Sequence, residues 1–120
     1  MRTFRQLKVW QHAHQLVLET YHLTRSFLSE ERYGLTQHMR RAAISIAANI
    51  TEGHQRKSKA EFLHFLNIAH GSLDELQYYL ILATDLRYAT DLTKMSENAE
   101  EVGRMLNGLT QHIQQEIRHA

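Results

Sequence analysis

A chain of 120 residues with 42% hydrophobic side chains has room for one domain that buries roughly two thirds of its unfolded surface. The absence of cysteine excludes a disulfide framework, a cysteine-based zinc site and a thiol nucleophile, and the absence of proline favours long helices joined by short turns. Net charge is +1, yet residues 1–60 hold ten Lys/Arg against four acids, a balance of +6, and residues 61–120 hold four against nine, a balance of −5. Such a split suits either pairing between complementary helices or a basic face turned to a polyanion.

The opening segment, MRTFRQLKVWQHAHQ, lacks the apolar run and small-residue cleavage site of a signal peptide. No apolar run of about 18 residues exists to span a membrane, so a cytoplasmic location is expected.

The first predicted helix runs from about Phe4 to Arg25, opened by Thr3 with Gln6 at capping-box spacing. Leu7, Trp10, Ala13, Val17 and Tyr21 form its core stripe, and Val9, Leu16, Leu23 and Phe27 a second apolar strip about 100° round. That surplus of apolar arc points to an oligomer, with Val9 and Leu16 at a subunit interface and Trp10 in the core or at a subunit seam. The linker LSEERYG follows, with Gly34 as its flexible point and Thr36 as the expected cap of the next helix.

The second helix, LTQHMRRAAISIAANITEG, carries a core stripe of Leu35, Met39, Ala42, Ala43, Ile46 and Ile50. Its other side, Ile44, Ala47, Ala48 and Thr51 flanked by Arg40 and Arg41, is small and apolar where a solvated face would carry more charge, which makes Ile44 and Ala48 further interface residues. Gly53 is read as a left-handed C-terminal residue. The basic turn HQRKSK leads to a third helix capped by Ser58 with Glu61. In it Phe62, Leu66, Ala69, Leu73, Leu76, Leu80 and Ala83 alternate by four and three, a heptad seam, and Gly71 with Ser72 leaves room for a close neighbour. A fourth helix starts near Asp91 with Leu92, Met95, Ala99, Val102, Leu106, Leu109, Ile113 and Ile117 inward. The expected fold is all-α: an antiparallel up-down-up-down four-helix bundle in a single domain.

Catalytic signals are sparse. Two Glu-x-x-His pairs, Glu61 with His64 and Glu116 with His119, have a spacing seen in bundle metal sites, but their directions do not converge on the core. Arg32 and His38 have an Arg-x5-His spacing found in some helical RNases, a pattern that nine histidines also produce by chance. No phosphate-loop, nucleophile-elbow or deaminase motif is present. No cofactor and no metal site is expected. What remains is binding: Arg40, Arg41, Arg56, Lys57 and Lys59 are placed to follow phosphates, multiplied by symmetry in an oligomer.

The runs FRQLKVWQHA, ERYGLTQHMRRAAISIAANITEG and KAEFLHFLNIAHGSLDELQYYLILA resemble the bacterial four-helix-bundle family of proteins encoded in intervening sequences of 23S ribosomal RNA genes, over roughly residues 4–88. The residues matching its motif are Tyr33, Gly34, Leu35, Gln37, Arg40, Arg41, Ala42, Ser45, Asn49, Glu52 and Gly53, then Glu61, Gly71, Ser72, Glu75 and Leu76. Leu28 stands where many relatives have proline, which bears on where the first helix ends. The resemblance implies a ring-like homo-oligomer, best a pentamer. It also implies kinship with accessory proteins of diversity-generating retroelements, which bind nucleic acid and a reverse transcriptase. No catalytic residue carries over. The combined expectation is a non-enzymatic oligomer that binds structured RNA or DNA, with service as accessory subunit of a reverse transcriptase or ribonucleoprotein as the role the resemblance suggests. The alternative is a protein-binding scaffold without nucleic acid, and a remote one is a metal-dependent or RNA-cleaving helical enzyme.

Overall fold

The computed structural model describes residues 3–119, in which four helices and two single 3-10 turns form the whole regular structure. The helices are α1 (Lys8–Thr24), α2 (Leu35–His54), α3 (Lys59–Asp85) and α4 (Thr93–Arg118). Each packs on its chain neighbours and α1 closes onto α4, giving a four-sided antiparallel rod of 51 × 22 × 20 Å. The expected all-α up-down bundle is what forms.

The α3 seam is the spine of the core. Leu66, Ala69, Leu73, Leu76, Leu80 and Ala83 are buried, facing Met39, Ala43, Ile46 and Ile50 of α2 and Ala99, Val102 and Leu106 of α4. Each large side chain taken out of water contributes about 1.5–3 kcal/mol, set against the entropy of ordering the chain. Phe62 is half-buried against this core, as are Leu92 and Leu109 of the α4 stripe. Ile117 remains 41% exposed, so the stripe outruns the bundle.

The first helix departs from expectation in two ways. Phe4–Gln6 is a 3-10 turn, tied by the Thr3 N–H donating to Gln6 Oε1 at 3.2 Å, and the chain turns extended at Leu7 before α1 begins. Its buried line is Val9, Ala13, Leu16, Thr20 and Thr24, while Leu7, Trp10 and Val17 are only partly covered. Val9 and Leu16 are thus core residues of their own chain, not subunit contacts. The threonines can join this line because Thr20 Oγ1 donates to Leu16 O (2.7 Å) and Thr24 Oγ1 to Thr20 O (2.8 Å), leaving no unsatisfied hydroxyl. Trp10 lies between Phe4, edge-on at 5.1 Å, and His14, stacked at 5.0 Å.

Helix boundaries are set by residues other than those foreseen. Thr36 is buried inside α2 rather than capping it. The cap is the Glu31 carboxylate, which accepts the Leu35 N–H at 3.1 Å and the Tyr88 hydroxyl at 2.7 Å. These bonds, that of Tyr88 first, hold the Glu31 carboxyl below its usual pKa. Gly53 is not left-handed: no glycine among the described residues has positive φ, and α2 continues through it to His54. It is required by proximity, since a Cβ there would lie 2.8 Å from Phe62 Cδ1 and 2.9 Å from Phe65 Cβ. Ser58 Oγ does cap α3, accepting the Glu61 N–H at 3.1 Å.

The left-handed residue is instead Arg87, with φ 63°. It closes α3 with Arg87 N–H to Thr84 O (3.0 Å) and Tyr88 N–H to Ala83 O (2.9 Å), a Schellman motif that usually holds glycine at this position. Arg87→Gly should therefore raise stability by up to about 1 kcal/mol in a denaturant melt. A loss of stability would show that the Arg87 side chain contributes more than its backbone costs.

Candidate nucleic-acid interface

The five basic residues singled out from sequence do not form one patch. Arg40 and Arg41 are adjacent in sequence and therefore point about 100° apart. Arg40 is half-buried toward α1, where its Nε donates to Thr24 Oγ1 at 2.9 Å and its guanidinium lies 4.4 Å over the Tyr21 ring. Arg41 is exposed. Beyond the end of α2, Arg56 pairs with Glu52 (3.2 Å) and lies 4.8 Å over Phe65, while Lys59 pairs with Glu116 across helices at 3.7 Å. Lys57 is exposed, and neither it nor Arg41 makes a salt bridge among the described residues.

What sequence reasoning missed lies at the α1–α2 corner. Arg25, at the end of α1, and Arg32, after the 3-10 turn Ser29–Glu31, join Arg40 around a hollow of about 350 Å³. Helical periodicity offers no signal for this grouping, because the segment between Arg25 and Leu35 is not a continuous helix. Leu28, 53% exposed, forms part of its wall, and α1 ends at Thr24, one residue short of the expected Arg25.

Of the second-helix interface residues, Ile44 is 43% exposed and Ala48 is exposed, whereas Ala47 is buried. Ser72 Oγ donates to Ser45 Oγ at 2.7 Å, which ties α3 to α2, and on α3 Ile68 is 40% exposed. Asn49 Nδ2 donates to Ser45 O (2.8 Å) and Oγ (3.0 Å). Ser45, Asn49, Gly53 and Ser72 are thus a clasp between α2 and α3, which accounts for four of the motif residues structurally. Gly71 does not admit a neighbouring helix of its own chain: nothing lies within 4 Å of where its Cβ would be.

The residues weighed for catalysis are dispersed. Arg32 lines the α1–α2 hollow, while His38 is exposed on the α3 side, its ring 6.0 Å from that of Tyr79. Glu61 and His64 are exposed, and Glu116 is engaged by Lys59 and by His112 at 3.5 Å. Among the described residues no three His, Asp or Glu side chains are grouped to hold a metal ion. No described helix is long and apolar enough to cross a membrane.

Fold and surface together define a four-helix bundle with a tight α2–α3 clasp and basic groups distributed over its first half. The chain belongs to the 23S rRNA-intervening sequence protein family, whose model matches residues 5–108. In three dimensions it is similar to the crystal structure of a protein of unknown function from the S23 ribosomal protein family of Bacteroides thetaiotaomicron. The TM-score is 0.79 at 24% identity, over 85% of this chain and 97% of that one. No match is found among curated proteins.

Proposed function

We propose that the protein is a homo-oligomeric bundle that binds structured RNA or DNA through its basic surface. The observation that carries this reading is the set of cations left without carboxylate partners among the described residues: Arg41 and Lys57 in the open, and Arg40 held in place by Thr24 and Tyr21. Arg56 and Lys59 sit in exposed pairs, each worth about 0–1 kcal/mol, so phosphate can displace their carboxylates at small cost. Accessory service to a reverse transcriptase or another ribonucleoprotein is the partner role that fits the resemblance.

The apolar strip of Ile44, Ala48, Ile68 and Gly71 is the proposed subunit contact, and a pentameric ring is the assembly that the resemblance favours. Repetition around a ring multiplies the basic groups facing one ligand. Among the described residues no constellation supports catalysis, and none is proposed.

Fluorescence anisotropy of labelled structured RNA and duplex DNA across a salt series tests the reading. For a duplex, log affinity should fall with log salt at about −0.9 per phosphate neutralised, and for a single strand about −0.7. Arg41→Ala with Lys57→Ala, both exposed and therefore neutral to the fold, should flatten that slope by roughly 1 to 2. Absence of binding at low salt by assembled protein would sink it and favour a protein-binding scaffold. A monomer by light scattering would remove the oligomer.

A further inference from the structure

The α1–α2 corner draws three arginines from three pieces of chain to one hollow. Arg25, Arg32 and Arg40 line it together with Thr24, Ser29 and Thr36, and Phe27 and Leu28 supply an apolar wall. Among the described residues none of the three guanidiniums makes a salt bridge. Glu31, close in sequence, has one carboxylate oxygen on the Leu35 N–H and the other on the Tyr88 hydroxyl, so it is committed elsewhere. Guanidiniums that line one hollow without a salt bridge repel one another, and an anion seated between them relieves that repulsion.

Preorganisation adds to the charge. Arg40 is fixed at Nε by Thr24 and on its face by Tyr21, which leaves its terminal N–H groups for a ligand and little side-chain freedom to lose on binding. Thr36, 8% exposed, borders the hollow with its hydroxyl-bearing side chain. An internal phosphodiester presents one charge and two free oxygens. A phosphomonoester presents three oxygens and about −1.5 to −2 charges near neutral pH, the better match for three guanidinium forks and adjacent hydroxyls.

We propose that this hollow is a binding site for a phosphomonoester, supplied either by the 5′ end of a nucleic-acid strand or by a free nucleotide. The strand-end source rests on the nucleic-acid reading above; the free-nucleotide source does not.

Two single-stranded RNAs identical except for a 5′-phosphate or 5′-hydroxyl, labelled at the 3′ end, are titrated with the wild type and with Arg25→Gln/Arg32→Gln. AMP and inorganic phosphate are titrated in parallel while the arginine Nε–Hε signals are followed by NMR. Both substituted residues are exposed, and circular dichroism with sizing verifies the variant's fold. The expected result is a preference for the 5′-phosphorylated strand of about tenfold or more, the worth of a charge-assisted hydrogen bond, abolished in the variant. If neither strand binds but AMP shifts the signals of Arg25, Arg32 and Arg40, and the variant loses the response, the pocket stands as a nucleotide site and the nucleic-acid reading falls. If both strands bind alike and neither AMP nor phosphate moves those signals, the pocket is overturned while the basic surface survives. If nothing binds and nothing shifts, both are overturned.

Discussion

Leu16→Ala should destabilise the folded chain by about 2–5 kcal/mol, a large part of the 5–15 kcal/mol that holds a typical domain together. Leu16 is wholly buried between the core lines of its own chain, so truncation removes transferred apolar surface and leaves a cavity. A residue at a subunit seam would behave differently, its loss appearing as concentration-dependent dissociation. Urea melts at two protein concentrations separate the cases: the midpoint falls equally in both while the slope stays that of the wild type. Ile44→Ser is the counterpart, within about 0.5 kcal/mol in the folded subunit but weakened in assembly. A Leu16→Ala protein as stable as the wild type would return Leu16 to the surface.

Gly53→Val should cost about 2–3 kcal/mol, although glycine inside a helix is itself unfavourable by about 1 kcal/mol relative to alanine. Packing outweighs propensity here because the new Cβ meets Phe65 Cβ at 2.9 Å, an atom that cannot swing away without moving α3. Phe62 blocks the other side at 2.8 Å. Gly53→Asn discriminates this from a left-handed cap, which tolerates asparagine. Near wild-type thermal stability of the asparagine variant would contradict the packing account. Gly71 shows the opposite balance: with open space around it, Gly71→Ala gains about 1 kcal/mol in the subunit from propensity alone.

The third helix was legible because its buried residues are all apolar, except Ser72, and keep a strict heptad rhythm. The first helix was not, since two of its five buried residues are threonines whose hydroxyls are satisfied by carbonyls four residues back. Hydrophobicity alone rotated the stripe away from Val9 and Leu16. At Gly53 the sequence suggests a conformational role, whereas the constraint comes from a helix that contacts it only after folding. The basic site was legible as residue types and illegible as geometry: Arg40 and Arg41 face different ways, Arg56 and Lys59 have acidic partners, and Arg25 reaches Arg40 only through an irregular linker.

The short connection between α2 and α3, residues 55–58, gives these two helices a kinetic advantage over the rest. Closing so small a loop costs little entropy, and the serine clasp then locks its register, so this hairpin should form early and open last. Amide exchange should be slowest around Ile46–Ile50 and Leu66–Leu76, and faster in α1, whose entry is already broken at Leu7. Thr24 ends α1 with Arg25 directly after it, and Arg40 belongs to α2, so the arginine hollow exists only while α1 is docked. A phosphate that fills it would act as a latch between α1 and α2, slowing exchange in α1 in proportion to its occupancy.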